Sequence, residues 1–139
     1  MTTVVYNHKD KEIAIDSRIT RGGFIVSDDA TKAVKNSNGF FALSGMTADC
    51  QLVAECFPNE PNREVDCYGF VASDSCVYWL SFSDGQMILT KCNYNEAAGS
   101  GQDHAITALD LGLSAKDAVK MAIKRDPCTG GKVRVYKVK

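Results

Sequence analysis

Residues 1–16 read MTTVVYNHKDKEIAID, and the interpretation of the whole chain starts from this stretch. Residues 2–6 and 12–16 are β-branched or alternate between apolar and polar, and residues 7–11 form a polar link of the kind found in turns. This pattern predicts a β-hairpin at the start of the chain. Residues further along then decide what the hairpin packs against.

Thr2 is the first candidate functional residue. It directly follows Met1, so removal of that methionine would make Thr2 the N-terminal residue. Its hydroxyl could then act as a nucleophile, and its α-amine, with an unperturbed pKa of about 7.7–8.0, could accept the hydroxyl proton. Many proteins begin Met-Thr without such chemistry, so the hypothesis needs support from the rest of the sequence.

The composition is that of one globular domain over residues 1–139. Apolar residues make up 45% of the chain and charged residues 24%, with 16 Lys+Arg against 17 Asp+Glu. The resulting net charge of −1 argues against nucleic acid as the main partner. No apolar run approaches the roughly 18–20 residues that span a bilayer, and the N-terminus has no signal-peptide pattern. We therefore expect a cytoplasmic protein with no membrane partner.

The six cysteines are expected to be reduced thiols. They contain no Cys-x-x-Cys pair, and no export signal accompanies them. The same spacing, with His8 and His104 as the further candidates, argues against a zinc site. We expect neither a metal nor another cofactor.

Short strands and helices are predicted along the remaining chain. Two of the strands, at residues 76–82 and 86–91, are joined by Ser83-Asp84-Gly85, which favours an antiparallel hairpin. Strands are predicted at residues 24–26, 40–44, 65–72, 76–82 and 86–91, with a closing strand that contains Val133, Val135 and Val138.

Three helices are predicted. The first covers residues 47–57, with Thr47 as its N-cap and Pro58 as its end. The second covers residues 101–111 and is closed by Gly112. The third covers residues 114–125 and begins with a capping-box-like pair, Ser114 and Asp117. This order of elements suits sheets covered by helices.

Small polar or charged residues next to glycines, or at strand ends, recur in a fixed order. The series is Thr-Thr-Val-Val (2–5), Ile-Asp-Ser-Arg-x-Thr (15–20), Lys32, Ser-Gly-x-x-Ala-Asp-Cys (44–50), Gly-Ser-Gly (99–101) and Arg-Asp-x-x-Thr-Gly-Gly (125–131). It resembles the β-type subunits of the proteasome family of N-terminal-nucleophile hydrolases. It is similar also to the peptidase subunit of the bacterial ATP-dependent ring protease of that family.

The resemblance implies an α+β fold, a four-layer αββα sandwich of two antiparallel sheets. Between Cys50 and Asp66, family members usually carry one long helix and most of another. This chain has only residues 51–57 and a proline-containing loop there, so we expect one helical layer to be truncated. In the family that layer helps to form contacts with neighbouring rings or the unfoldase, so an unfoldase or cap partner for this chain stays open.

The resemblance also implies roles for seven residues. Thr2 would be the nucleophile, with Asp16 and Lys32 as its charged support, and Gly45 would offer its backbone N–H as the oxyanion donor. Three further residues match the family positions that orient the Thr2 amine by hydrogen bonds: Ser100, Asp126 and Thr129.

The first substrate pocket is likewise implied by the resemblance. Thr20 and Gly45 would flank the cleft and pair with an extended peptide. None of the residues that map onto the pocket is charged, which predicts cleavage after Leu, Tyr or Phe. These residues are Ile19, Ala30, Val34, Leu43 and Thr47.

The function that the resemblance implies is a threonine peptidase subunit of a homo-oligomeric ring, acting on peptides or unfolded protein. Two alternatives stay open: a non-catalytic ring or shell protein that retains Met1, and an N-terminal-nucleophile amidase that acts on small amides. Each motif taken singly also has a structural interpretation, since Asp16 could simply pair with Arg18 or Lys32.

Overall fold

Six strands, a helix, four strands, two helices and a final strand follow one another in the computed structural model, which describes residues 2–138. The expected removal of Met1 therefore concerns a residue outside the described range. In chain order the strands are β1 (Thr3–Asn7), β2 (Glu12–Ile15), β3 (Ile19–Arg21), β4 (Phe24–Ser27), β5 (Val34–Asn36), β6 (Gly39–Gly45), β7 (Cys67–Ser73), β8 (Cys76–Ser83), β9 (Gln86–Lys91), β10 (Glu96–Gly99) and β11 (Arg134–Lys137), and the helices are α1 (Thr47–Cys56), α2 (Gln102–Asp110) and α3 (Ala115–Arg125).

Two antiparallel sheets form the centre of the molecule. The four-stranded sheet has the order β10-β1-β2-β11, and the five-stranded sheet has the order β5-β6-β7-β8-β9. Strands β3 and β4 form a separate hairpin. Strand β1 lies inside its sheet between β10 and β2, so the N-terminal segment enters the fold at its centre.

The alternation of side chains in the N-terminal hairpin sorts its residues between two apolar layers. Val5 and Ala14 pack with α2 and α3, whereas Val4, Tyr6 and Ile13 pack in the layer between the two sheets. All of them are at most 2% exposed. A strand covered on both faces has no solvent side, which explains why both faces of β1 are apolar.

A third apolar layer lies between the five-stranded sheet and α1. Phe41 and Leu43 of β6 pack there against Val53 and Ala54 of α1. The order of layers is therefore α2 and α3, the four-stranded sheet, the five-stranded sheet, then α1. The expected αββα sandwich is confirmed, and within residues 2–138 its second helical layer consists of α1 alone.

Local signals at the helix ends are partly confirmed. Ser114 caps α3 by accepting a hydrogen bond from the Asp117 N–H at 3.2 Å, and Gly112 adopts the left-handed φ of +92° after α2. The prediction of Thr47 as an N-cap is wrong. Met46 occupies that position in extended conformation and supplies no side-chain hydrogen bond, and Thr47 is already helical.

Candidate active site

Thr2 lies immediately before β1 and is 6% exposed. Its hydroxyl Oγ1 accepts a hydrogen bond from the Lys32 ammonium at 3.2 Å. Its carbonyl oxygen accepts one from the Ser100 N–H at 2.9 Å. The residue is thus held from two sides, by the segment that leads into β5 and by the loop that follows β10.

Asp16 follows β2 directly and is 1% exposed. Its Oδ1 accepts from the Thr3 N–H at 3.2 Å and from Lys32 Nζ at 2.9 Å. Its Oδ2 accepts from the Gly130 N–H at 3.0 Å. A buried carboxylate is tolerated when its oxygens are hydrogen-bonded and a cation lies next to it. Asp16 therefore fixes the position of the ammonium that contacts Thr2.

The Lys32 ammonium lies between the Thr2 hydroxyl and the Asp16 carboxylate. Burial lowers the pKa of Lys32 below its ordinary value, and the neighbouring Asp16 carboxylate only partly offsets this effect. Asp16 thus pairs with Lys32, whereas Arg18 pairs with Asp28 at 2.8 Å. The alternative pairing of Asp16 with Arg18 does not occur as a side-chain ion pair.

A second carboxylate, Asp126, follows α3 and links the other two predicted hydroxyls. Its Oδ2 accepts from Ser100 Oγ at 2.5 Å and from Thr129 Oγ1 at 2.6 Å. Burial alone would raise the pKa of Asp126, but these hydrogen bonds and that from the Cys128 N–H outweigh burial and lower it. Asp126 is therefore an ionised acceptor at neutral pH.

Gly45 ends β6 and pairs with Cys67. Its φ is +141°, and a Cβ there would lie 2.3 Å from the Asp66 carbonyl oxygen and 2.9 Å from Cys67 Cα. The close approach that requires glycine is thus to the neighbouring strand β7, in addition to any approach by a substrate. Gly45 lines the same cavity as Thr2 and Lys32.

A cavity of about 430 Å³ lies in front of Thr2. It brings together five of the residues predicted to bind substrate, and their side chains are apolar or uncharged. They are Ile19, Thr20, Val34, Leu43 and Thr47.

Ala30, the remaining predicted pocket residue, is not among the lining residues that the structure describes. Its N–H donates to the Ser17 carbonyl at 3.0 Å, and its own carbonyl accepts from Arg134 at 2.9 Å. Thr31 lines the wall in its place. The lining residues that the sequence did not indicate are Arg18, Thr31, Met46, Cys50, Gln51 and Cys128.

Thr3 is a further buried hydroxyl that the sequence did not single out. It is 0% exposed, and its Oγ1 lies 2.6 Å from Thr129 Oγ1 and accepts from the Gly101 N–H at 3.1 Å. Alternation along β1 would have placed Thr3 on the face opposite Thr2, but its partners lie 98 and 126 residues away. Local sequence carries no signal for such a contact.

Within residues 2–138, no three His, Cys, Asp or Glu side chains are arranged so that they could hold a metal ion. None of the helices in the same range is long and apolar enough to cross a bilayer.

Comparison with known proteins finds similarity at the level of structure. No protein-family model and no curated protein matches the chain. The crystal structure of eukaryotic HslV from Trypanosoma brucei matches with a TM-score of 0.75 and 19% identity, over 96% of this chain and 97% of that chain. Thiobacillus denitrificans BPH in complex with epoxomicin matches with a TM-score of 0.76 and 16% identity, over all of both chains.

A second structure of Thiobacillus denitrificans BPH gives a TM-score of 0.71 at 16% identity, over 99% of this chain and 98% of that chain. The similarity thus extends over nearly the full length of all the proteins compared, including both sheets and both helical layers of this chain. This protein has the proteasome β-type, HslV-like fold.

Proposed function

We propose that this chain is the peptidase subunit of a proteasome-like ring and that Thr2, once Met1 has been removed, is its nucleophile. The observation that carries the proposal is the contact of the Lys32 ammonium with both the Thr2 hydroxyl, at 3.2 Å, and the Asp16 carboxylate, at 2.9 Å. A buried lysine of lowered pKa beside a hydroxyl, at the wall of a cavity, is typical of an activated nucleophile.

The chemistry follows from these positions. The Thr2 amine takes the proton of Oγ1 while Oγ1 attacks the peptide carbonyl carbon. The positive charge on Lys32 stabilises the negative charge that develops on Oγ1 and disfavours protonation of the neighbouring amine. The Gly45 N–H donates to the carbonyl oxygen as that oxygen becomes negative.

The proton then passes to the nitrogen of the leaving peptide, and the C–N bond breaks. This leaves an ester between Oγ1 and the acyl part of the substrate. A water molecule, deprotonated by the same amine, hydrolyses the ester and restores the Thr2 hydroxyl. Ser100, Thr129 and Asp126 hold the amine in the orientation that both steps require.

A homo-oligomeric ring is part of the proposal. The hairpin of β3 and β4 exposes three consecutive apolar side chains, Phe24, Ile25 and Val26, at 57%, 49% and 43%. Exposed apolar patches of this kind mark contacts with other proteins. A second copy of the chain would cover them in a closed symmetric assembly. A monomer at micromolar concentration in light scattering would contradict the ring.

The test of the nucleophile uses protein whose intact mass demonstrates that Met1 is absent. We expect hydrolysis of short fluorogenic peptides, and we expect Thr2→Ala to reduce it on the order of 10⁴-fold or more. Lys32→Ala should cause a loss of similar order, and the double variant should be no worse than either single variant, because residues that act as one unit give losses that do not add. Lys35→Ala, an exposed lysine in β5, is the matched control and should leave turnover unchanged.

Epoxomicin provides a second readout, since it is bound to BPH in one of the similar structures. We expect it to bind the Met1-free protein and not the Thr2→Ala variant. Normal turnover by Thr2→Ala would refute Thr2 as the nucleophile. Retention of Met1 with no turnover would indicate the non-catalytic ring protein, and turnover of small acyl-amides in preference to peptides would indicate the amidase.

A further inference from the structure

We propose that the Thr3 hydroxyl is a positioning group that holds the Ser100 and Thr129 hydroxyls in place as acceptors around the Thr2 amine. The inference rests on the proposed function, because it assigns a role within the same site. It starts from the fact that Thr3 Oγ1, at 0% exposure, contacts both loops that flank Thr2. These are the loop of residues 99–101, through the Gly101 N–H at 3.1 Å, and the loop of residues 126–131, through Thr129 Oγ1 at 2.6 Å.

The direction of the Thr3–Thr129 hydrogen bond follows from counting protons. Asp126 is ionised, so it can only accept, and Thr129 gives its one hydroxyl proton to Asp126 Oδ2 at 2.6 Å. In its contact with Thr3, Thr129 is therefore the acceptor and Thr3 the donor. Thr3 in turn accepts from the Gly101 N–H. The chain of hydrogen bonds runs in one direction, from Gly101 through Thr3 and Thr129 to Asp126.

Ser100 is fixed by the same carboxylate. Its hydroxyl proton goes to Asp126 Oδ2 at 2.5 Å, while its N–H holds the Thr2 carbonyl at 2.9 Å. With both protons committed to Asp126, the hydroxyls of Ser100 and Thr129 offer only lone pairs to a neighbouring group. A neutral α-amine has two N–H bonds and one lone pair. In the proposed arrangement these two acceptors take the two N–H bonds and leave the lone pair for the proton of the Thr2 hydroxyl.

The space around Thr3 supports a specific role for its oxygen. A Cβ at Gly101 would lie 2.3 Å from Thr3 Oγ1 and 2.8 Å from the Cβ of Ala122, so only glycine allows this approach. Without the Thr3 hydroxyl, the Gly101 N–H would be buried without its acceptor. Thr129 would keep its hydrogen bond to Asp126 but lose the second contact that fixes its oxygen, so its remaining lone pair would no longer be held towards the amine.

The experiment compares Thr3→Val, which keeps the shape and removes the hydroxyl, with Thr3→Ser, which keeps the hydroxyl and removes the methyl group. Each protein is produced from a fusion whose cleavage leaves Thr2 first, and intact mass verifies this. The first readout is peptide hydrolysis. We expect Thr3→Val to lower kcat about tenfold, the size of effect expected for one lost hydrogen bond, with little change in KM. Thr3→Ser should stay near the wild-type value.

The second readout does not depend on turnover. The pKa of the Thr2 α-amine is measured from the pH dependence of its labelling by acetic anhydride, with mass spectrometry of the N-terminal peptide. A Thr129 oxygen that is no longer held in place stabilises the ammonium less, so Thr3→Val should lower the pKa of the amine relative to wild type and Thr3→Ser. The acidic limb of the kcat/KM profile should move to lower pH by the same amount.

The outcomes separate the two proposals. An unchanged amine pKa and an unchanged kcat in Thr3→Val would overturn the role of Thr3, even if the variant melts at a lower temperature, because only packing would then be affected. If Thr3→Val does not fold, Thr3→Ala carries the comparison with Thr3→Ser, because serine and alanine differ by the hydroxyl alone. Hydrolysis by the Thr2→Ala variant at the wild-type rate would refute the proposed function, while the pKa of the Thr2 amine in the Thr3 variants would still decide the role of Thr3.

Discussion

The side chains of Lys32 and Asp16 form a buried ion pair, with Nζ 2.9 Å from Oδ1 and exposed fractions of 10% and 0%. Removal of either partner leaves the other charge buried without its counter-ion. We expect Lys32→Ala to lower the free energy of unfolding by about 3–5 kcal/mol. Urea denaturation measures the change.

The double variant Lys32→Ala/Asp16→Asn is the informative control for this ion pair. It removes both charges, so its loss of stability should be smaller than the sum of the losses of the two single variants. Additive losses would mean that the pair contributes little and that Asp16 is stabilised chiefly by the N–H groups of Thr3 and Gly130.

Gly45→Ala is expected to destabilise the protein and impair hydrolysis. Its φ of +141° disfavours any L side chain, and the added Cβ would lie 2.3 Å from the Asp66 carbonyl oxygen. A strained residue of this kind lowers the free energy of unfolding by about 1–3 kcal/mol. Gly23→Ala is the matched control, because a Cβ there meets nothing within 4 Å. Equal stability of the two variants would contradict the strain at Gly45.

Asp126 should contribute stability that depends on pH. Its folded-state pKa lies below the ordinary value of 3.8, so the folded protein binds this proton less readily than the unfolded chain. The contribution is present above about pH 4 and is lost as the pH falls through the folded-state pKa. We expect the difference in unfolding free energy between wild type and Asp126→Asn to shrink over that range. If the unfolding free energies of wild type and Asp126→Asn instead fall in parallel as the pH is lowered, the prediction is wrong.

Substrate preference should follow the composition of the cavity. Five of its predicted lining residues are uncharged, and the positive charge of Arg18 is held by Asp28 through two hydrogen bonds of 2.8 and 3.0 Å. Peptides that vary only at the residue before the cleaved bond should be cut fastest after Leu, Tyr or Phe. A preference of the wild type for acidic or basic residues would contradict the mapping of the pocket.

Asp28→Asn tests the contribution of Arg18 to that preference. Removal of the carboxylate leaves the guanidinium without a counter-ion beside the cavity, so cleavage after Glu and Asp should increase relative to cleavage after Leu. Glu64→Gln, an exposed carboxylate outside the cavity lining, is the control and should leave the preference unchanged.

The elements that sequence predicts well are those whose signals are local. Helix α3 begins after Ser114 because that side chain accepts the Asp117 N–H, and its apolar stripe of Ala118, Val119 and Ala122 is buried as the periodicity predicts. The hairpin of β8 and β9 is also predicted by a local signal, the turn residues Asp84-Gly85. They adopt the positive φ values, 51° and 76°, that such a turn requires.

Strand β10 shows where local signals fail. Residues 96–99 read Glu-Ala-Ala-Gly and contain no β-branched or aromatic residue, yet they pair with β1 in the register Thr3–Gly99. Tertiary pairing overrides propensity here. The same limit applies to the candidate site. The ordered motifs identify Thr2 and Lys32, but only the fold reveals that Thr3 and Thr129 share a hydrogen bond and that Thr31, not Ala30, lines the cavity.

The position of Thr2 ahead of β1 has a consequence for protein synthesis. The proposed nucleophile is translated well before the groups that complete its surroundings, since Asp16 contacts the Gly130 N–H 114 residues later and Thr3 contacts Thr129 126 residues later. The ribosome must release the segment that contains Thr129 and Gly130 before these contacts can form. The growing chain therefore carries the Thr2 hydroxyl without an assembled site until residue 130 has emerged, and the proposed cleavage can begin only after that point.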